Sequence, residues 1–268
     1  MNVCCESNKC FASLSTNKRI TVTFRGSVLG GKDWPTNSNI FYTKLDKPQL
    51  LQTVQLKEDI KVHRGFYNYL HAPGKKVGEH SKMETIVKNL KEVLAEKQND
   101  GFELFITGHS LGGALCQLLS FELASYSVKG ENDSFPLPIR AITFAPQLGN
   151  KEGFGQAYQA LEKADRVRNL RVTNEGDVVL EGPFGFGYTQ TGVNVHVHEN
   201  KPAIVGYNVV KNIVGQISLN SVAMHLLGIY EARLFNFENK GNILKKTIDE
   251  LYQENEARSG LKEYARSL

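Results

Sequence analysis

The sequence predicts an α/β fold, a layer of mostly parallel β-strands with helices on its faces. Three observations carry that prediction. Short apolar, β-branched runs alternate along the chain with longer runs at helical spacing, the order of a parallel sheet wound by crossover helices. Residues 102–124 place a strand-like run, a glycine-flanked turn and a helical run in immediate succession. No internal repeat, low-complexity tract or linker interrupts the pattern. At 268 residues, with 41% hydrophobic and 22% charged side chains, the chain can bury a substantial core. We expect one domain over residues 1–268, in which about 238–268 form a charged C-terminal helical extension.

The elements follow in order. Residues 10–15 and 20–25 read as a β-hairpin, and residues 26–35 (GSVLGGKDWP) as a glycine-rich loop. A strand is expected within residues 40–45, and residues 62–67 then lead into a short helix that ends at Ala72-Pro73-Gly74. Ser81 and Glu84 form a capping box for a helix whose Ile86, Val87, Leu90, Val93 and Leu94 share one face. Asn99-Asp100-Gly101 stops that helix before the strand 102–107 (FELFIT). Residues 112–124 continue as a helix, and 139–145 as a buried strand after a polar loop. A helix over 151–164 and a strand over 167–173 come next, the strand running into Asn174-Glu175-Gly176-Asp177. Residues 193–198 alternate as a strand, 221–234 form a helix beginning near His225, and 242–258 a charged helix with Ile243, Leu244, Ile248 and Leu251 on one side.

Composition narrows the function. A net charge of +4 is too small to point to nucleic acid, yet tolerates an anionic lipid surface. No apolar run approaches the length of a transmembrane helix. Residues 1–10 (MNVCCESNKC) lack the charged start and apolar core of a signal peptide, which favours an intracellular chain over a mature secreted form. Cys4, Cys5 and Cys10 have no matching second half for a zinc site, and Cys116 lies in a helical run; reduced thiols are expected. No cofactor or metal is implied.

The chemistry centres on Gly108, Ser110 and Gly112, which spell G-x-S-x-G between the strand and the helix. Such a turn holds the serine in strained backbone angles at the end of a sheet, and the helix N-terminus beside it suits a developing oxyanion. A serine hydroxyl needs a base, and the base an orienting carboxylate. In a doubly wound hydrolase these follow in the order Ser, Asp, His. Asp177 lies just past a strand, at the edge where such sheets form sites. Of the seven histidines, His63 precedes the serine, His71 and His80 are early and expected at the surface, and His109 is confined within the elbow to a packing role. Order and placement favour His225 as the base, with His196 and His198 as the alternative.

These residues sit among others that together resemble the class 3 lipases, a family of fungal triacylglycerol lipases and plant lipase-like proteins. The matching stretches are Phe24-Arg25-Gly26-Ser27, Val62 to Phe66, Thr107 to Ala114, Thr143 to Asn150, Asn174 to Val179, and His225 with Tyr230. They occur in family order over roughly residues 11–237. The resemblance implies an α/β-hydrolase fold with Ser110 as nucleophile, Asp177 as orienting acid and His225 as general base. It further implies an oxyanion hole from Ser27 and the Leu111 backbone N–H. The family's cover over the site falls at residues 28–39, where Leu29 and Trp34 are the lid candidates. Gly30, Gly31 and Pro35 disfavour a helix there, so a short mobile loop is expected.

The implied activity is hydrolysis of fatty acyl esters in acylglycerols or related glycerolipids. A galactolipid or phospholipid acyl hydrolase, an acyltransferase, and a catalytically silent lipase-like binding module are the alternatives. The expected partners are a lipid or ester substrate and transient contact with a membrane or lipid-droplet surface; nucleic acid is not expected.

Overall fold

The computed structural model describes residues 2–4, 10–15, 18–27, 41–74, 79–95, 101–126, 135–146, 149–177, 188–201, 203–207, 223–241 and 245–259. In chain order the elements are β1 (Asn2–Cys4), β2 (Cys10–Ser15), β3 (Arg19–Phe24), β4 (Tyr42–Lys44), β5 (Lys61–His63), α1 (Arg64–His71), α2 (Lys82–Ala95), β6 (Glu103–His109), α3 (Leu111–Tyr126), β7 (Ile139–Phe144), β8 (Gly149–Asn150), α4 (Gln156–Lys163), β9 (Val167–Asn174), β10 (Tyr188–Thr189), β11 (Val193–Val197), β12 (Ile204–Tyr207), α5 (Leu227–Gly241) and α6 (Ile248–Ser259).

The main sheet runs β1-β2-β3-β6-β7-β9-β11-β12. Its centre, β3 through β11, is parallel, and β1, β2 and β12 add antiparallel pairs at the two edges. A small antiparallel sheet, β10-β8-β5-β4, lies apart from it. The predicted α/β class is therefore the class observed.

Burial explains the elements. In β3, Ile20, Val22 and Phe24 alternate inward, and in β6 Leu104 and Ile106 do the same. The helix α3 is buried from Leu111 to Ser125 on every side, because it lies along the middle of the sheet with α1 and α4 beside it. A helix so enclosed has no polar stripe, consistent with its run of Leu, Ala, Phe and Cys. The capping box forms as expected: Ser81 Oγ accepts from the Glu84 N–H at 3.2 Å, and Glu84 Oε2 from the Ser81 N–H at 2.7 Å.

The opposite face is covered over β9, β11 and β12 by α5 and α6, which bury Tyr230, Ile248, Leu251 and Tyr252. Asp249 anchors α6 through Arg140 at 2.9 Å and Arg168 at 2.6 Å. The Tyr252 hydroxyl lies 2.6 Å from Glu162 of α4 and 2.7 Å from the Asn169 carbonyl of β9. One side chain thus joins the helices on both faces of the sheet.

Some boundaries differ from the sequence expectation. The helix expected over 151–164 begins with a wide turn, Lys151–Gly155, before α4; Gly153 and Gly155 weaken a regular helix there. The helix expected from 221 starts at Leu227, which leaves His225 in the preceding turn. The strand β1, paired with β2, was not anticipated. His71, expected at the surface, is half-buried: its Nε2 lies 2.7 Å from Glu122, and its ring stacks on Tyr67. Replacing Ser81 with Ala should remove one half of the capping box and cost about 1 kcal/mol. Urea unfolding should show a lower midpoint with an unchanged slope.

Candidate active site

Ser110 occupies the turn between β6 and α3 with φ of 55°. That left-handed conformation is costly for a residue with a side chain and persists only where neighbours enforce it. Here the enforcement is close packing. A Cβ on Gly108 would lie 2.2 Å from the Gly112 carbonyl oxygen, and one on Gly112 2.3 Å from the Phe24 carbonyl oxygen. The backbones of β3, β6 and α3 therefore touch, and only glycine fits at both points. The Ser110 N–H donates to Phe144 at 2.9 Å, and its carbonyl accepts from Ala114 at 3.1 Å, so the turn is tied to β7 and to α3.

Asp177 follows the end of β9, two strands from β6. Its carboxylate is fully buried and meets the His225 ring, with His225 Nδ1 at 2.9 Å from Asp177 Oδ2. The same Oδ2 accepts a 2.6 Å hydrogen bond from the Tyr230 hydroxyl on α5. His225 is thereby fixed through Nδ1, which leaves Nε2 as its outward nitrogen.

Further contacts hold His225 and the turn that carries it. His109 lies beside it, ring centroids 4.6 Å apart, with its Nε2 2.8 Å from the His225 carbonyl oxygen. Burial, followed by the neighbouring His225, pushes the His109 pKa down to about 4, so its ring is neutral and its Nε2–H is the donor. Asn174 donates from Nδ2 to the Met224 carbonyl at 2.7 Å. Arg233, on α5, bonds Asn174 Oδ1 and reaches the Glu175 carbonyl at 2.8 Å. Together these tie the turn before α5 to the loop that carries Asp177.

The five residues expected at the site thus gather at the C-terminal edge of the parallel strands. Ser110 and Leu111 open α3, and Asp177 and His225 are in contact. Ser27 is half-buried beyond β3, where the preceding residue, Gly26, packs against the His109 carbonyl. The lid candidates Leu29 and Trp34 lie outside the described residues.

The rival histidines are placed elsewhere. His196 lies on the α3 face of the sheet with Nδ1 2.8 Å from Thr173 Oγ1, and His198 lies 3.1 Å from Glu175. Tyr230, Asn174, Arg233 and the positioning role of His109 were not assigned from sequence. Tyr230 and Asn174 lay within matched stretches, which was the available signal. Arg233 had none, since a single arginine on a helix resembles any solvated one. Among the described residues no group of three or more His, Cys, Asp or Glu is placed to hold a metal ion. No helix among them is long and apolar enough to cross a membrane.

Strand order, the elbow and the buried acid–histidine pair define an α/β-hydrolase. A sequence model of the lipase (class 3) family matches residues 21–186, and the chain belongs to that family. Over 175 residues, 64% of the chain, it is 30% identical to the chloroplastic galactolipase DONGLE of Arabidopsis thaliana, covering 35% of that protein. Over 210 residues, 74% of the chain, it is 25% identical to phospholipase A1-II 5 of Oryza sativa subsp. indica, covering 42% of it. The chain therefore spans less than half the length of these plant relatives. Lipase II from Rhizopus niveus shares the fold with a TM-score of 0.56 at 19% identity, over 84% of this chain and 77% of that one. The Rhizomucor miehei triacylglyceride lipase does so with a TM-score of 0.51 at 22% identity, over 73% and 64%.

His109 and His196 also make stability depend on pH. Both have folded-state pKa values lowered to about 4, burial being the leading cause, against about 6.5 when unfolded. Between those values the unfolded chain binds more protons, so stability is present above about pH 6.5 and is lost as pH falls toward 4. Replacing His196 with Gln should flatten this decline, and unfolding near pH 5 should take up about one proton fewer. Urea melts at a series of pH values measure the slope.

Proposed function

We propose that the chain is a serine ester hydrolase that releases fatty acids from glycerolipids. The observation that carries this reading is the elbow serine, held at φ 55°, on the same sheet edge as the 2.9 Å His225–Asp177 pair. Ser110 Oγ attacks the ester carbonyl while His225 Nε2 takes its proton. Asp177, buried and already bonded to Nδ1, stabilises the imidazolium and leaves Nε2 as the nitrogen that takes the proton. The Leu111 N–H, at the first turn of α3, and Ser27 hold the oxyanion. Collapse of the tetrahedral intermediate expels the alcohol, which receives the proton from His225 and leaves an acyl-enzyme. Water activated by His225 then releases the fatty acid and restores Ser110.

The names of the plant relatives, a galactolipase and a phospholipase A1, support polar glycerolipids as well as acylglycerols as the substrate class. An intact serine, acid and histidine set supports catalysis over a silent binding role. Hydrolase and acyltransferase differ only in the acceptor that resolves the acyl-enzyme.

A fluorophosphonate probe should label the protein, and Ser110→Ala should abolish both labelling and ester cleavage, with a loss of turnover on the order of a million-fold. His225→Ala should be nearly as damaging, whereas His196→Ala and His198→Ala should retain most of the activity. Fatty-acid release from a panel of tri-, galacto- and phosphoglycerides, with and without an added alcohol, identifies the head group and the acceptor. Full activity in Ser110→Ala, or a dead His196 variant beside an active His225→Ala, would refute the assignment.

Removing the Tyr230 hydroxyl should leave the fold intact but deprive Asp177 of a donor. Tyr230→Phe is expected to lower turnover about tenfold, the equivalent of one charge-assisted hydrogen bond. Steady-state kinetics should place the loss in kcat rather than KM.

A further inference from the structure

The face of the main sheet beneath α3 changes character from one side to the other. Neighbouring strands set out one row as Val22, Ile106, Ala141 and Asn169, and the next as Phe24, Gly108, Thr143, Arg171 and Asn194. The row beyond pairs Thr173 with His196. The β3–β6 side is apolar; the β9–β11 side is polar and wholly buried, with Arg171, Asn169, Thr173 and Asn194 all at 0% exposure.

Arg171 stands at the centre of the polar side. Its neighbours along β9 are Asn169 and Thr173, and across the strands Thr143 and Asn194. None is a carboxylate, and their acceptors are engaged elsewhere. Asn169 Oδ1 accepts from Thr143 at 3.2 Å, and Asn194 Oδ1 from Thr173 at 3.0 Å. The Thr173 hydroxyl also meets His196 Nδ1 at 2.8 Å. As a result Arg171 Nε, Nη1 and Nη2 have no protein hydrogen-bond partner, and neither does the Asn194 Nδ2 group opposite it. Glu162 acts on Arg171 only at a distance, and it is hydrogen-bonded to Tyr252. Burial pulls the guanidinium down to about 9, which still leaves it charged at neutral pH.

A buried, unpaired guanidinium is strongly destabilising, and an adjacent orphan amide adds to that cost. Every unsatisfied atom on these two opposed side chains is a donor. A water molecule would supply acceptor lone pairs but no countercharge, whereas a small anion supplies both. We propose that Arg171 and the Asn194 amide hold a small monovalent anion of the chloride class inside the domain, between β9, β11 and α3. The anion clamps β9, which leads to Asp177, to its neighbour β11, so its effect is on the stability of that half of the sheet. The proposal does not depend on the hydrolytic assignment.

Thermal melts of the full chain in sodium gluconate, with increasing chloride or bromide at constant ionic strength, test it. For the unaltered protein the melting temperature should rise saturably, by about 3–6 °C. Arg171→Met should lose this response. Asn194→Glu places a carboxylate directly opposite Arg171; it should melt higher than the unaltered protein in gluconate and no longer respond to halide. Crystals grown in bromide should show an anomalous peak at Arg171. If Arg171→Met does not fold, Asn194→Glu and the bromide peak decide. A halide response that persists unchanged in Asn194→Glu, no response in the unaltered protein, or water alone at Arg171 in bromide crystals would each overturn the proposal.

Discussion

The contact on which the structure depends is between backbones, not side chains. The strands β3 and β6 and the first turn of α3 meet where any Cβ on Gly108 or Gly112 would overlap a carbonyl oxygen. This contact leaves no room for Ser110 in an ordinary conformation and projects it at the sheet edge with positive φ. It also explains the enclosure of α3. A helix drawn this close to the sheet is surrounded by β3, β6, β7, β9, α1 and α4, so the strain at one residue is held by the packing of the whole central layer.

The base is held differently. His225 lies in a short turn, and a turn by itself would not keep an imidazole oriented. Its position is set by several contacts: Asp177 at Nδ1, itself held by Tyr230, His109 at its carbonyl, and the Asn174 and Arg233 bonds to Met224, the preceding residue. Most of these groups are buried or nearly so, which makes their hydrogen bonds stronger and their loss costlier than at the surface. His109 belongs to the elbow itself, so the residue that precedes the serine also locates the histidine.

The two halves of the sheet follow different rules on the face beneath α3. Toward β3 the inward residues are apolar and their packing needs no partners. Toward β11 they are Asn, Arg, Thr and His, and each must be satisfied by a neighbour. Most are, through the chain of bonds that joins Thr143, Asn169, Thr191 and Gln117, and through the set of Thr173, Asn194 and His196. Left without a partner among them are the Arg171 guanidinium, the Asn194 Nδ2 group and, from α3, the Gln117 Oε1.

Local features were legible in the sequence because their causes are local. The G-x-S-x-G turn between a strand and a helix, the Ser81–Glu84 cap, and the alternation in β3 and β6 each depend on residues within one turn or one strand. The order of Ser110, Asp177 and His225 was legible as well, because parallel strands wound by helices bring successive loops to one edge. The tertiary structure decided what depends on distant partners. His71 faces inward because Glu122, far along the chain, meets it. The last helix was legible as charged with Ile248 and Leu251 on one side, but not that this side packs on the sheet with Tyr252, or that Arg140 and Arg168 of neighbouring strands bind its Asp249. Arg171, one of two arginines in its strand, is set apart only by register, since the residue placed opposite it is Asn194 rather than an acid. Sequence patterns determine which face a side chain takes; only the assembled sheet determines what it finds there.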